Sequence, residues 1–329
     1  MWITQMTKRD LVVVGGGPAG MAAAISAHEN GVRDILLIER DQYLGGLLNQ
    51  CIHTGFGIEY FKEILTGPEY ADRFVNKIRT LPDIETSLRS FVVRLRPDKT
   101  ISYLKPGGLH TVKPKALIMA TGCREKTREM VHIPGTRPSG IFSAGLAQKL
   151  INIEGLLPGK NVVIIGSGDI GLIMARRFTL EGASVKAIVE VQGTTRGLVR
   201  NVVQCVEDFD IPIYFNHAVT KIHGRDRVEK VSVAKVDGKT FEAVGGSFDI
   251  DCDTVLVSVG LIPENELIEM AGVAIDKKTN SPVSKEVNRT SIPGIFVCGN
   301  SFKVYDYVDS VSRDSESAGK LAAEYIRNG

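Results

Sequence analysis

The segment GGLLNQCIHTGFG, Gly45 to Gly57, places a cysteine and a histidine two residues apart. A thiolate is a nucleophile and an electron relay, and an imidazole moves protons near neutral pH. Cys51 and His53 are therefore candidate catalytic residues, and two readings are open. In one, His53 lowers the Cys51 pKa, and a thiolate or a derived sulfenate takes part in turnover. In the other, Cys51 is a small packing residue and His53 a hydrogen-bonded turn residue. In a β-like segment side chains at i and i+2 share a face, which permits their contact. Cys123, Cys205, Cys252 and Cys298 are scattered, with no CxxC pair. That spacing matches neither a disulfide framework nor a zinc or iron–sulfur ligand set, so no metal is expected.

Glycine carries the second chemistry. Leu11 to Val14 is an apolar run followed by GGGPAG and MAAAISAHENG. It reads as a buried parallel strand, a turn, and a helix ended by Gly31. Gly15 permits the tight turn, Gly17 lets the backbone approach a pyrophosphate, and Gly20 lets the helix pack closely on the strand. Pro18 and Ala19 open that helix, whose free N–H groups favour phosphate. The next strand, ILLIE, ends in Glu39, an acceptor for ribose hydroxyls, and Arg40 follows. The pattern recurs. Asn161 to Ile165 leads into GSGDIG, with Gly166, Gly168 and Gly171 at the same spacing around Asp169 and Ile170, and SVKAIVE ends in Glu190. The acid follows the first glycine by 24 residues in both copies (15 to 39, 166 to 190). Two nucleotide sites are expected.

Two more strands end in small-residue turns: ALIMATG, Ala116 to Gly122, and SIPGIFVCGN, Ser291 to Asn300. With these four motifs the chain resembles the pyridine nucleotide-disulfide oxidoreductase superfamily in its short, thioredoxin-reductase-like form. The resemblance implies an α/β chain of two Rossmann-like FAD/NAD(P)-binding domains, the second inserted in the first. The FAD domain would span 1–123 and 254–329 and the NAD(P) domain 124–253, with crossovers near Gly122 and Ser258 to Asn265. It implies FAD contacts at Gly15, Gly17, Pro18, Ala19, Gly20, Glu39 and Arg40, and at Gly46, Leu47 and Asn49 in the opening segment. Val92, Ala120, Thr121, Gly122, Gly299, Asn300 and Val308 would complete them. Nicotinamide dinucleotide would meet Gly166, Gly168, Asp169, Ile170, Gly171, Glu190 and Gly260. A last helix, about Asp309 to Arg327, would turn its positive end toward the flavin.

Asn300 stands where the family has an acid. An amide still bonds a ribityl hydroxyl and removes one negative charge; a decayed FAD site is the other reading. Tyr305, Asp306, Tyr307 and Asp309 either line the flavin edge or cap the last helix. Glu190 favours a free ribose 2′-hydroxyl and repels a 2′-phosphate, and the first arginine after it is Arg196. Gly171 also leans toward NAD. NAD(H) is expected over NADP(H), with Arg196 or Arg200 folding back over the ribose as the opposing case.

The family's dithiols are absent. Short thioredoxin reductases carry CxxC shortly before the second glycine motif, where this chain has Ser143, Ala144, Gly145 and Leu146. The longer reductases' C-x4-C would fall at Leu48 and His53. Thiol–disulfide exchange needs an attacking and a resolving sulfur, so dithiol disulfide reduction is disfavoured.

The composition fits this frame. A length of 329 residues suggests two domains, and 43% apolar with 24% charged residues is ordinary for a globular protein. A net charge of +2 without a basic cluster argues against nucleic acid. No apolar run approaches the roughly 18 residues of a membrane span. MWITQMTKRD lacks the features of a signal peptide, so a cytoplasmic chain with reduced thiols is expected.

The runs ATGCREKTRE, VIIGSGDIGLIMARR, RNVVQCVEDF and SVGLIPENEL resemble one subgroup more closely. Its members are FAD-dependent oxidoreductases accompanying a larger flavin dehydrogenase of the glycerol-3-phosphate or 2-hydroxyglutarate type, often with a small cysteine-rich protein. The resemblance implies hydride exchange between FAD and NAD(H), with electrons passed to or from such a redox partner. A stand-alone NADH oxidase or peroxidase using Cys51, and a non-catalytic cofactor-binding component, are the alternatives. The direction of flow and any homo-oligomer stay open.

Overall fold

The computed structural model describes residues 6–284 and 286–329; residues 1–5, which open the segment read as lacking a signal peptide, and Lys285 lie outside them. The chain divides into two compact units, one ending at Arg124 and resuming at Ile262, the other Glu125–Leu261. The return to the first unit comes at Ile262 rather than at 254. Strand Thr254–Val257 belongs to the second unit's sheet, paired with Ile141–Ser143 on one side and Asn161–Ile165 on the other.

In the first unit, parallel strands run in the order Ile84–Ser87, Ile35–Ile38, Thr7–Val14, Gly108–Met119, with Ile295–Val297 against the last. Gly108–Met119 serves twice: its first residues pair antiparallel with Ile101–Lys105, its last three with Ile295–Val297. Strand periodicity sends alternate residues to opposite faces. Leu11 and Val13 join a core with three helices, Pro18–Glu29, Gly67–Arg79 and Val308–Asn328. Val12 and Val14 join another with Val92, Ile101 and Tyr103 of the antiparallel strands. Cover on both faces is why these strands read as unbroken apolar runs.

Helix Pro18–Glu29 is buried continuously from Ala19 to Ala27, and its small side chains admit the C-terminal helix. The approach is close: a Cβ on Gly319 would lie 2.3 Å from the Ala23 carbonyl oxygen. Helix Gly67–Arg79 starts on a capping box, Thr66 with Glu69, and buries Tyr70, Ala71, Phe74 and Ile78 along one stripe. Within residues 56–82, whose sequence has helical periodicity, the helix starts only at Gly67, after short strands Thr54–Phe56 and Leu65–Thr66.

The second unit repeats the plan. Five parallel strands run Ile141–Ser143, Thr254–Val257, Asn161–Ile165, Ser184–Glu190, Ile213–Phe215, beside an antiparallel layer of His217–Gly224, Val228–Val236 and Ala243–Asp251. Helix Asp169–Leu180 packs on the parallel sheet through Leu172, Met174, Ala175 and Phe178. Among the described residues, no helix is long and apolar enough to cross a membrane.

Candidate nucleotide-binding sites

Both glycine turns are built alike. Gly15 has φ +109°, and a Cβ there would lie 2.2 Å from the Ala120 carbonyl oxygen. Gly166 has φ +96°, and its Cβ would lie 2.1 Å from the Ser258 carbonyl oxygen. Gly20 and Gly171 are also tightly packed, against the carbonyl oxygens of Gly15 (1.8 Å) and Gly166 (2.8 Å). The middle glycines differ in kind. A Cβ on Gly17 would meet only the Gly46 Cα, at 4.0 Å, and one on Gly168 nothing within 4 Å. These two are the N-caps of their helices, and neither has a side-chain cap. Open space in front of uncapped helix amides is what a pyrophosphate needs, so both turns fit a dinucleotide. Pro18 sits in the first turn of its helix and Ala19 is buried beneath it.

The acids are positioned alike too. Glu39 is buried; its Oε2 accepts from Gly16 N at 2.6 Å and its Oε1 from Asp41 N at 2.8 Å. Glu190 is buried; its Oε2 accepts from Ser167 N at 2.9 Å and its Oε1 from Gln192 N at 2.8 Å. Arg40 is exposed. Asp169 turns away from the helix axis to accept from Leu198 N (2.8 Å) and Asn201 Nδ2 (2.6 Å). Ile170 is half-buried, and Gly260, φ +118°, accepts from Lys126 N at 2.9 Å.

The opening segment is a strand only over Thr54–Phe56, and Cys51 and His53 lie before it. Gly46–Gln50 is a 3-10 turn entered through Gly45 at φ +116°, and Cys51 is its C-cap. A Cβ on Gly46 would lie 3.0 Å from the Gly17 Cα, so this loop closes over the first glycine turn. Leu47 is 57% exposed, whereas Asn49 turns back to donate to Leu44 O at 2.9 Å. Burial pushes the Cys51 thiol up to about 12, the reverse of the lowering expected from His53. His53 is half-buried, its ring 5.0 Å from that of Phe56 and its Nδ1 3.3 Å from Thr54 O. Burial also pushes Cys252 and Cys298 up to about 12 and raises Cys205.

The return segments reach the same turn. A Cβ on Gly299, φ +64°, would lie 2.6 Å from the Ala19 Cβ. Ala120 N donates to Val14 O at 2.8 Å, Thr121 Oγ1 to Glu264 O at 2.7 Å, and Glu264 N to Gly122 O at 3.0 Å. Asn300 donates to the Cys123 Sγ at 3.5 Å and accepts from Tyr305 N at 3.1 Å. Val308 opens the last helix, while the Val92 side chain packs into the apolar core of the antiparallel face. A cavity of about 500 Å³ flanks the loop, lined by Tyr43, Leu44, Asn49 and helix Gly67–Arg79, and does not include the glycine turn.

Three roles escaped sequence reasoning. Asp309, buried, accepts from Gly57 N at 3.0 Å and Glu59 N at 2.8 Å, tying the loop to the last helix rather than capping it. Glu125 accepts from Gly145 N at 2.8 and 2.9 Å, so a carboxylate sits at the helix start where a CxxC would lie. Ser167 bonds Glu190 through its hydroxyl. A serine after the first glycine was the only visible signal, since all three bonds span distant sequence.

Two glycine turns, each on a parallel sheet with a buried acid at the next strand's end, define a two-dinucleotide oxidoreductase. The chain belongs to the pyridine nucleotide-disulphide oxidoreductase family, whose model matches residues 9–313 and whose members bind FAD and NAD(P). Its fold is that of a thioredoxin reductase: the T. acidophilum structure superposes with a TM-score of 0.76 at 23% identity, over 98% of this chain and 99% of that one. A subunit of opine oxidase from Agrobacterium tumefaciens is 27% identical over 95% of this chain and 64% of its own length. The HcnB component of hydrogen cyanide synthase from Pseudomonas protegens is 25% identical over 80% of this chain and 58% of its own. The chain therefore spans less than two thirds of these curated relatives.

Proposed function

We propose that this chain is the NAD(H)-facing component of a flavin-dependent dehydrogenase or oxidase assembly, exchanging electrons with a partner redox protein in the cytoplasm. The carrying observation is the thiol inventory. The segment Ser143–Leu146 has no cysteine, and burial keeps the Cys51 thiol protonated near neutral pH. The chain thus offers neither a dithiol relay nor a ready thiolate to a peroxide. The opine oxidase and hydrogen cyanide synthase relatives are each named as one subunit of a larger enzyme, which supports an assembly. The resemblance to companions of glycerol-3-phosphate or 2-hydroxyglutarate-type dehydrogenases points the same way.

FAD, when bound, supplies hydride exchange with a nicotinamide. The residues of the first unit hold it: the amides after Gly17 take the pyrophosphate, Glu39 the adenosine ribose, and Asn300 a ribityl hydroxyl. In the second unit the amides after Gly168 take the pyrophosphate of NAD(H), and Glu190 accepts from the ribose 2′-hydroxyl. A buried carboxylate at that position repels a 2′-phosphate, so NAD(H) is chosen over NADP(H).

Anaerobic titration tests both parts. NADH is expected to bleach the flavin's visible band and NADPH to do so only at far higher concentration; the reverse order overturns the NAD reading. The NADH-reduced protein is then mixed with its co-purifying flavoprotein or cysteine-rich partner, which should reoxidise it faster than oxygen does. Rapid oxygen or peroxide turnover without a partner, abolished in Cys51→Ser, overturns the component reading.

A further inference from the structure

The two glycine turns, GGGPAG and GSGDIG, are built alike, and at one of the three positions where they differ Gly16 stands in the first and Ser167 in the second. Ser167 is fully buried. Its hydroxyl donates to Glu190 Oε2 at 2.7 Å and accepts from Arg196 N at 3.1 Å. Its carbonyl accepts from Gly197 N at 2.9 Å. Asp169 adds its bonds to Leu198 N and Asn201, so the loop from Gln192 to Leu198 is stitched across the glycine turn. The fit at Gly197 is close: a Cβ there would lie 2.6 Å from the Leu172 Cδ1 and 3.0 Å from the Asp169 Oδ1. In the first turn the backbone bond has its match, Gly45 N donating to Gly16 O at 2.9 Å, but there is no hydroxyl, and the Leu44 Cδ2 lies 2.5 Å from where a Gly16 Cβ would be.

The difference changes what each acid has left to offer. A carboxylate has about four acceptor positions, two on each oxygen. Glu39 uses one on each oxygen, for Gly16 N and Asp41 N, leaving one on each for a vicinal diol. Glu190 uses both on Oε2, for Ser167 N and Ser167 Oγ, and one on Oε1, for Gln192 N. A single Oε1 position remains.

We propose that Ser167 determines the specificity of the second nucleotide site by locking Glu190 and the Arg196 loop together, so that one fixed acceptor faces one ribose hydroxyl. The inference rests on the reading of this site as an NAD(H) site. With the hydroxyl present, the carboxylate cannot swing toward the loop and the loop cannot move aside to bring Arg196 toward a 2′-phosphate. With it removed, Arg196 N loses its acceptor and Glu190 loses its rigid placement. Binding that depends on the fixed acceptor then weakens, whereas binding that never used it does not.

The test is equilibrium binding of NAD⁺ and NADP⁺ to the FAD-loaded protein by calorimetry, with no turnover. Wild type binding NAD⁺ more tightly than NADP⁺ supports the NAD reading, and the opposite order sinks that reading without touching Ser167. Ser167→Ala is expected to weaken NAD⁺ about tenfold, the scale of one hydrogen bond to a charged group, and NADP⁺ less than about twofold. Ser167→Cys, whose S–H is a weak donor, should fall between and serves alone if the alanine variant does not fold. Equal weakening of both nucleotides would show a merely structural role and overturn the proposal. Unchanged NAD⁺ affinity would overturn it as well.

Discussion

Gly15 and Gly17 are two residues apart in one turn, yet alanine at each should fail in opposite ways. Gly15 has φ +109° and its added Cβ would stand 2.2 Å from the Ala120 carbonyl oxygen. The backbone conformation costs an L-residue about 1–2 kcal/mol. Overpacking adds roughly 1–3 kcal/mol. Gly15→Ala should therefore lose about 2–5 kcal/mol of stability even without FAD. Gly17 has φ −75° and ψ −175°, which any residue adopts, and its Cβ would meet nothing closer than 4.0 Å. Gly17→Ala should fold as well as wild type or gain about 0.4–1 kcal/mol by restricting the unfolded chain. Its methyl, however, fills the approach to the helix amides. Losing even one charge-assisted hydrogen bond there costs about 1.5–3 kcal/mol, or roughly 10- to 150-fold in FAD affinity. Denaturant unfolding of the apoprotein and fluorescence titration with FAD separate the two quantities. A Gly17→Ala protein that is destabilised like Gly15→Ala, or that binds FAD like wild type, refutes the reasoning.

Two further outcomes are expected. At pH 8 a thiol titrating at about 12 is charged in about one molecule in ten thousand, so Cys51 in the folded protein should alkylate about 1,000-fold more slowly than in the denatured chain. The protonated thiol's contribution to stability is fully present below the unfolded value of 9.0 and is lost as pH rises toward 12; mass-spectrometric labelling against pH checks both. Asp309→Ala should cost on the order of 2–3 kcal/mol, because Gly57 N and Glu59 N lose their acceptor, and limited proteolysis should then cut between residues 52 and 64. A variant as resistant and as stable as wild type would show that water replaces the carboxylate there.

The sequence exposed what depends on short-range chemistry. Both glycine turns, the acids 24 residues on and the last helix are visible because strand runs, φ-permissive glycines and helix periods act within a few residues. Bonds across the fold left no such trace. Asp309 reads as a helix cap until Gly57 is seen beside it, and Glu125 gives no hint of Gly145. The segment before Cys51 has mixed polarity, and nothing in its pattern distinguishes a 3-10 turn from a strand; two positive-φ glycines decide it. The crossover expected at Ser258 to Asn265 contains Ile262, whereas the domain limit drawn at 254 falls earlier because Thr254–Val257 is as apolar as any strand of the first unit, and apolarity does not say which sheet a strand joins.

The interrupted order of the first unit sets a schedule for synthesis. Helix Pro18–Glu29 is complete early, but its partner helix Val308–Asn328, with Gly319 against the Ala23 carbonyl, is made only after the second unit. The whole second unit, Glu125–Leu261, is translated in between. At about 5–20 residues per second those 137 residues (125 to 261) occupy roughly 7–27 s. During that interval an alanine-rich apolar helix face waits without its cover while the later-starting unit can already close. The nascent chain should therefore complete its second unit first, with the first unit's helix face exposed until residues from Ile262 onward are made.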